Sequence, residues 1–178
     1  MAPAAISSRR PRRSWPAGSP LPAPDLSLYR PNVGIVLFHD DGRVWYGRRA
    51  YAVPPHIWQF PQGGVDDGEN LLEAARRELR EETGVHSTSL LGHTEEWVHY
   101  DFPPGEESAR ASRGWKGQKQ IWFAMRFDGD EGEIDLDGHG DAEFDAWRWG
   151  SLAEATELVV PFKRSAYEHV VRAFTKFS

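Results

Sequence analysis

The chain has 178 residues, 39% of them hydrophobic and 27% charged, with no Cys and a net charge of −6. That length suits one domain with a substantial core, and the lack of Cys excludes a disulfide scaffold, thiolate catalysis and Cys-based zinc or iron–sulfur sites. Four of the 21 basic residues fall in residues 1–24, which contain no acid, so residues 25–178 set 17 basic groups against 27 acidic ones, a balance of −10; a general nucleic-acid binder would show a basic footprint instead.

Met1 to Pro24 holds six Pro, the cluster Arg9, Arg10, Arg12 and Arg13, and no hydrophobic period. Such a stretch buries too little surface to offset its ordering entropy, which predicts a disordered tail over residues 1–25 and a folded domain over 26–178. The Arg-rich, acid-free composition also suits an organellar transit peptide, an overlong start or a weak electrostatic arm. No apolar run reaches the roughly 20 residues of a membrane span and no secretory signal is evident. The expected location is therefore cytoplasmic, with organellar targeting by the tail left open.

From Leu26 onward the punctuation is regular. Val33 to Phe38 is a continuous apolar run, as in a strand buried on both faces. Asp40-Asp41-Gly42 reads as a hairpin turn and Val44 to Gly47 as the returning strand. Residues 69–83 read as a helix closed by Gly84 at a left-handed cap. Leu90 to Tyr100 reads as strand, Pro103 to Gly117 as loop, and Gln120 to Phe127 as a further strand. Residues 128–142 are acidic and Gly-rich, a loop, and Phe144 to Trp149 alternates like a short strand. Ser151 caps a short helix, and Pro161 opens an amphipathic one reaching Phe174. This order predicts an α/β domain with a mixed sheet between helices.

Chemistry concentrates in residues 63–85. At about 100° per residue, Glu78, Glu81 and Glu82 share one sector, Leu72, Ala75 and Leu79 face the core, and Glu73, Arg76 and Arg80 face solvent. Three acids on one stripe repel unless a cation lies between them, and hard oxygen donors at this density suit Mg²⁺ or Mn²⁺. Taken alone, the helix slightly favours the plainer reading, a solvated face laced with pairs such as Arg77–Glu81. The flanks shift that balance: Gly63 and Gly64 permit a tight turn and close backbone approach to an anion.

From Gly63 to Val85 the segment matches the Nudix box, G-x5-E-x7-R-E-U-x-E-E-x-G-U with U apolar, at every position: Gly63, Glu69, Arg77, Glu78, Glu81, Glu82 and Gly84 are its fixed residues. Seven such identities coincide by chance about once in 10⁸ starts. The chain thus resembles the Nudix hydrolases, whose fold is an α/β/α sandwich with a mixed β-sheet and a strand–loop–helix box. The resemblance implies divalent metal, Mg²⁺ or Mn²⁺, held by Glu78, Glu81 and Glu82, with Gly63 in the metal set. Glu69 supports metal or loop geometry, and Arg77 orients the acids.

Further segments occur in order: Tyr29-Arg30-Pro31-Asn32-Val33-Gly34, Arg48-Arg49, Trp58 to Gly64, Gly117-Gln118-Lys119-Gln120-x-Trp122-Phe123, Glu143-Phe144-Asp145-x-Trp147-Arg148-Trp149 and Phe162-Lys163-Arg164. Together they resemble the RNA pyrophosphohydrolase and dinucleoside-polyphosphate hydrolase branch. That resemblance implies Glu143 as a further metal ligand, Arg30, Arg49, Gln118 and Lys163 near phosphates or the 5′ nucleotide, and Phe162 near a base. Trp58, Trp122, Trp147 and Trp149 read rather as core. The loop Ala50 to Ile57 is longer than in the messenger-trimming members, and Tyr100-Asp101-Phe102-Pro103-Pro104 leans toward dinucleoside-polyphosphate members.

The expected activity is metal-dependent hydrolysis of phosphoanhydride bonds, removing pyrophosphate from 5′-triphosphate RNA or cleaving dinucleoside polyphosphates, with Glu78, Glu81 and Glu82 as the catalytic acids. Its partners are a nucleotide polyphosphate or an RNA 5′ end, with no DNA duplex and no membrane; oligomeric state is not legible. Alternatives are a housecleaning hydrolase of mononucleotides or ADP-ribose and a non-catalytic nucleotide sensor, which the intact acids argue against.

Overall fold

The structure, a computed structural model, describes residues 25–104, 114–137 and 142–178. Residues 1–24 of the disordered tail expected over 1–25, and parts of the loops over 103–117 and 128–142, lie outside the described residues.

The elements in chain order are β1 (Tyr29–Phe38), β2 (Val44–Arg49), β3 (Trp58–Gln59), β4 (Gln62–Gly64), α1 (Leu71–Thr83), β5 (Thr88–His93), β6 (Val98–Asp101), β7 (Gly117–Phe127), β8 (Phe144–Gly150), α2 (Ala155–Leu158) and α3 (Arg164–Phe174). β1 and β7 run parallel from Tyr29 opposite Gly117 to Phe38 opposite Arg126. The other edge of β1 pairs antiparallel with β2 at Phe38–Val44 and with β4 at Asn32–Gly34. β2 carries β3 and β8, and β7 carries β5 and β6, all antiparallel. The result is the expected mixed sheet.

Side chains alternate across it, as period two requires. Val33, Ile35 and Leu37 of β1, with Ile121, Phe123 and Met125 of β7, pack with Ala74, Ala75 and Leu79 of α1. Val36, Phe38, Trp122 and Ala124 face the opposite way, toward Ala166, Tyr167, Val170 and Phe174 of α3. Each such large side chain withdrawn from water stabilises by roughly 1.5–3 kcal/mol, so the central strands are held from both sides. Among the described residues no helix is long and apolar enough to cross a membrane.

Four expectations are corrected. The box helix starts at Leu71, not residue 69, because Asn70 caps it by accepting from the N–H groups of Leu72 (2.9 Å) and Glu73 (3.4 Å); Leu72 is half-buried and packs against the core, as expected. The strand expected over Leu90 to Tyr100 is two, β5 and β6, since Thr94 leaves the ladder to hold Trp122, donating its N–H to the Trp122 carbonyl (2.9 Å) and accepting the Trp122 N–H on Oγ1 (3.1 Å). β1 begins at Tyr29 and β7 at Gly117, because backbone pairing continues through polar residues. The last helix opens with a 3-10 turn over Pro161–Lys163.

Phe60 ties the two layers together beside β4. Its ring stacks between Tyr46 (4.8 Å, 20°) and Tyr167 (5.3 Å, 3°), and its N–H donates to the Tyr167 hydroxyl at 3.2 Å.

Gly34 faces Trp122 across the parallel pair, and a Cβ there would stand 2.5 Å from the fully buried indole. Gly34→Ala is therefore expected to cost about 1–3 kcal/mol, the range for forced overpacking, read as a lowered urea midpoint.

Candidate active site

The box folds as a short strand, a turn and a helix. Gly68 in the turn has φ +78°, and the Asp66 N–H donates to Glu69 Oε2 at 3.0 Å, which fixes Glu69 just ahead of the helix rather than on it. Gly84 ends the helix at φ 77° with its N–H on the Arg80 carbonyl at 2.8 Å; a Cβ there would also lie 2.6 Å from the Glu133 carbonyl oxygen. Glycine satisfies both the left-handed backbone and the close approach.

Arg77 organises the acids. Its Nε and Nη2 donate to the two oxygens of Glu69, each at 2.9 Å, and Nη2 also donates to the Gly64 carbonyl at 3.0 Å. Nη1 donates to Glu78 Oε1 at 2.8 Å and to Glu81 Oε2 at 3.2 Å. The planar fork explains why Arg and not Lys stands here. Its contacts hold the Glu69 carboxyl at about 2, well below the usual range. The plainer reading of the stripe and the functional one coexist: the Arg77–Glu81 pair is present, on a helix whose acids are gathered rather than dispersed.

Gly63 lies against Glu78; a Cβ there would fall 1.8 Å from the carboxylate. Burial raises the Glu78 carboxyl, with Arg77 opposing. Glu82 is the most desolvated of the set. Burial first, and then the facing charge of Glu143, push its carboxyl well above the usual glutamate value, while the Gln62 N–H (3.0 Å) and Lys163 oppose the rise. Glu143, just ahead of β8, is thus brought beside Glu82 from a distant part of the chain. Its Oε1 takes the Gln59 amide at 3.3 Å and lies 3.6 Å from Arg49 Nε, which is buried and has no hydrogen-bond partner among the described residues.

The remaining expected residues divide. Lys163 is buried, with Nζ 5.3 Å over the Tyr100 ring, and Phe162 lies 5.7 Å from the same ring. Gln118 is buried beneath Tyr100, whose hydroxyl donates to its amide oxygen. The Arg30 guanidinium rests against Gly64. Of the four Trp residues read as core, only Trp122 is fully buried; Trp58 is half-buried and packs against the cluster that contains Trp122, while Trp147 and Trp149 are half-buried and pack against the cluster on the α1 side. Sequence reasoning assigned nothing to Asn32, Gln59, Gln62, Tyr100 and Gln120, which cluster with these groups; their only signal was their presence within the quoted segments. A separate group, His39, Asp40 and Asp41 in the β1–β2 turn, brings donor atoms within 4.8 Å of one another, but shares no residue with the box and has Arg43 on Asp41 at 2.7 Å.

The NUDIX domain family matches residues 28–171. The RNA pyrophosphohydrolase of Caulobacter vibrioides is 64% identical over 155 residues, spanning 86% of this chain and 90% of that protein. The RNA pyrophosphohydrolase of Agrobacterium fabrum is 48% identical over 160 residues, spanning 84% and 94%. Among solved structures, the E. coli dihydroneopterin triphosphate pyrophosphohydrolase superposes with a TM-score of 0.62 at 23% identity, covering 82% of this chain and 99% of that one. A C. elegans Ap4A hydrolase binary complex gives 0.55 at 19%, with the same coverage; both show the fold. The chain belongs to the Nudix family. It is a hydrolase of phosphoanhydride bonds.

A carboxyl whose folded-state pKa is raised costs stability wherever it must ionise in place, and the cost disappears as pH falls through the folded value toward about 4.5. Glu82→Gln, whose amide oxygen can still accept the Gln62 N–H, is expected to melt higher than wild type in EDTA at pH 8. That gap should close as the pH is lowered to 5, in parallel thermal scans.

Proposed function

We propose that this chain removes pyrophosphate from the 5′-triphosphate end of RNA in the cytoplasm, leaving a 5′ monophosphate, with dinucleoside polyphosphates as a second substrate class. The substrate follows the relatives above, which span nearly the whole of both chains and bear the name RNA pyrophosphohydrolase. The observation that carries the site assignment is the gathering of acids around β4: the Gln62 N–H holds Glu82 at 3.0 Å, Gly63 makes room for Glu78, and burial with the nearby charge of Glu143 raises the Glu82 carboxyl, a pattern enriched at sites that do chemistry.

Glu78, Glu81, Glu82, Glu143 and Gly63 are the residues that would hold Mg²⁺ or Mn²⁺. The desolvated, mutually repelling carboxylates suit a hard divalent cation, and glycine at 63 leaves room for Glu78 where any Cβ would collide with it. Bound there, the metal supplies charge neutralisation for phosphate oxygens and activation of water. Arg77 keeps Glu69, Glu78 and Glu81 fixed. Arg49, Lys163 and Arg30 bind the polyphosphate charge, and Gln118 acts through Tyr100, beneath which it is buried. Phe162 offers a face to a base. The proton of the attacking water passes to one of the carboxylates Glu81, Glu82 or Glu143, and the pyrophosphate leaves on the side opposite the attack. An acidic protein suffices, because only the strand's end is gripped.

Glu81→Gln and Glu82→Gln are each expected to lower turnover at saturating Mg²⁺ by more than the about 10–100-fold typical of residues that merely support a ligand, with folding retained by circular dichroism. Near wild-type turnover in both removes the metal assignment.

Stacking of a base is worth about 1–3 kcal/mol, or roughly 5–150-fold. Phe162→Ala is therefore expected to slow triphosphate RNA and diadenosine tetraphosphate by that factor and to spare inorganic polyphosphate. A side-by-side time course including ADP-ribose tests the substrate reading; preference for ADP-ribose with RNA untouched overturns it.

A further inference from the structure

β4 is three residues long, and two of them are glycines. Yet the three acids on the site side of the helix, Glu78, Glu81 and Glu82, are set by it, directly or through Arg77. The Gln62 N–H holds Glu82, Gly63 makes room for Glu78, and the Gly64 carbonyl receives Arg77. Its backbone pairs with β1 at only three positions, and Gln62 supplies the one side chain with which it can be pinned to the sheet floor.

That pin is a buried chain of amides. Gln120, on β7 and fully buried, directs its Nε2 to Asn32 Oδ1 at 2.7 Å and to Gln62 Oε1 at 3.3 Å. Asn32 is itself buried and stands opposite Gln120 in the parallel pair. With both donors of Gln120 committed, its Oε1 is left buried without a partner among the described residues. An orphaned acceptor in a core position carries a desolvation cost that an apolar residue of the same volume would avoid. The amide is therefore there for its donors, not for packing.

We propose that Gln120 is a positioning residue of the active site: through the Asn32–Gln120–Gln62 amide chain it fixes β4, and thereby the Gln62 N–H against Glu82 and the acids that bind the metal. The inference rests on the proposed metal site and deepens it. Fully buried and bonded to Gln62, Gln120 acts through that side chain.

The test uses the full chain with Gln120→Met, Gln62→Met and the double variant. Amide hydrogen exchange of metal-free protein reads the anchor directly: the Gln62 N–H should lose at least about tenfold in protection in Gln120→Met, while amides in the core of β7 keep theirs. Direct Mn²⁺ titration should show affinity weakened about 10–100-fold, with kcat on triphosphate RNA falling and KM within twofold of wild type. Because the chain acts as one unit, the double variant should be no worse than the more affected single. The melting temperature of Gln120→Met in EDTA should fall only modestly, because the variant removes the orphaned Gln120 acceptor while taking the donor from Asn32 Oδ1. If Gln120→Met does not fold, Gln62→Met, at a half-buried position, carries the same measurements alone. Unchanged Gln62 protection and Mn²⁺ affinity in a folded variant overturn the inference, as do additive effects in the double variant. Failure of wild type to bind Mn²⁺ overturns the metal reading instead.

Discussion

Three of the carboxylates at the candidate site hang on one guanidinium. Arg77 spends its donors on three carboxylates and a backbone carbonyl, so that the turn ahead of the helix, the helix itself and β4 are clamped at a common point. Without a planar cation there, Glu69, Glu78 and Glu81 would repel one another and turn toward water. The clamp also leaves Glu82 to a different environment. Glu69 is held at about 2 by its ion pair, whereas Glu82, a short way along the same box, is pushed up by burial and by Glu143. Two carboxylates of identical chemistry are thus driven apart by their neighbours, a pattern common at sites that do chemistry.

The sheet supplies the platform for this clamp. The parallel β1–β7 pair presents aliphatic residues to α1 on one face, and on the other Trp122 and its neighbours to α3. Toward the start of both strands, the α3-facing positions turn polar, with Asn32, Gln118 and Gln120 replacing apolar side chains while remaining buried. The core and the site are therefore the same pair of strands, read at opposite ends. Phe60, stacked between Tyr46 and Tyr167, sets the approach of the chain into β4.

Local signals in the sequence fared well where one element decides the outcome. Helix periodicity, the glycine cap at Gly84 and the apolar run Val33 to Phe38 were legible because each needs only its own neighbours. Legibility failed where a partner strand decides. Tyr29 to Asn32 looks too polar to be a strand, yet β7 supplies its hydrogen bonds; Leu90 to Tyr100 looks continuous, yet Thr94 is drawn off by Trp122. At the site, the helical period brought Glu78, Glu81 and Glu82 to one side, but nothing in local spacing could set Glu143 beside Glu82, and the buried amides carry no periodic signature. Glu143 was reached through resemblance, and Gln120 only through its hydrogen bonds.

The parallel pairing of β1 with β7 has a kinetic side. Asn32 and Gln120 meet across 88 residues of chain, and no hairpin can bring parallel neighbours together. Contacts of such long range form late and slowly, since the loop-closure entropy must be met before any of them stabilises the chain. During synthesis from the N-terminus, residues 63–85 all precede β7, which supplies both the apolar surface that α1 packs against and the floor that orders β4. A nascent chain therefore carries the whole motif before the strand that supplies its floor, and before Glu143 and Lys163, have been added.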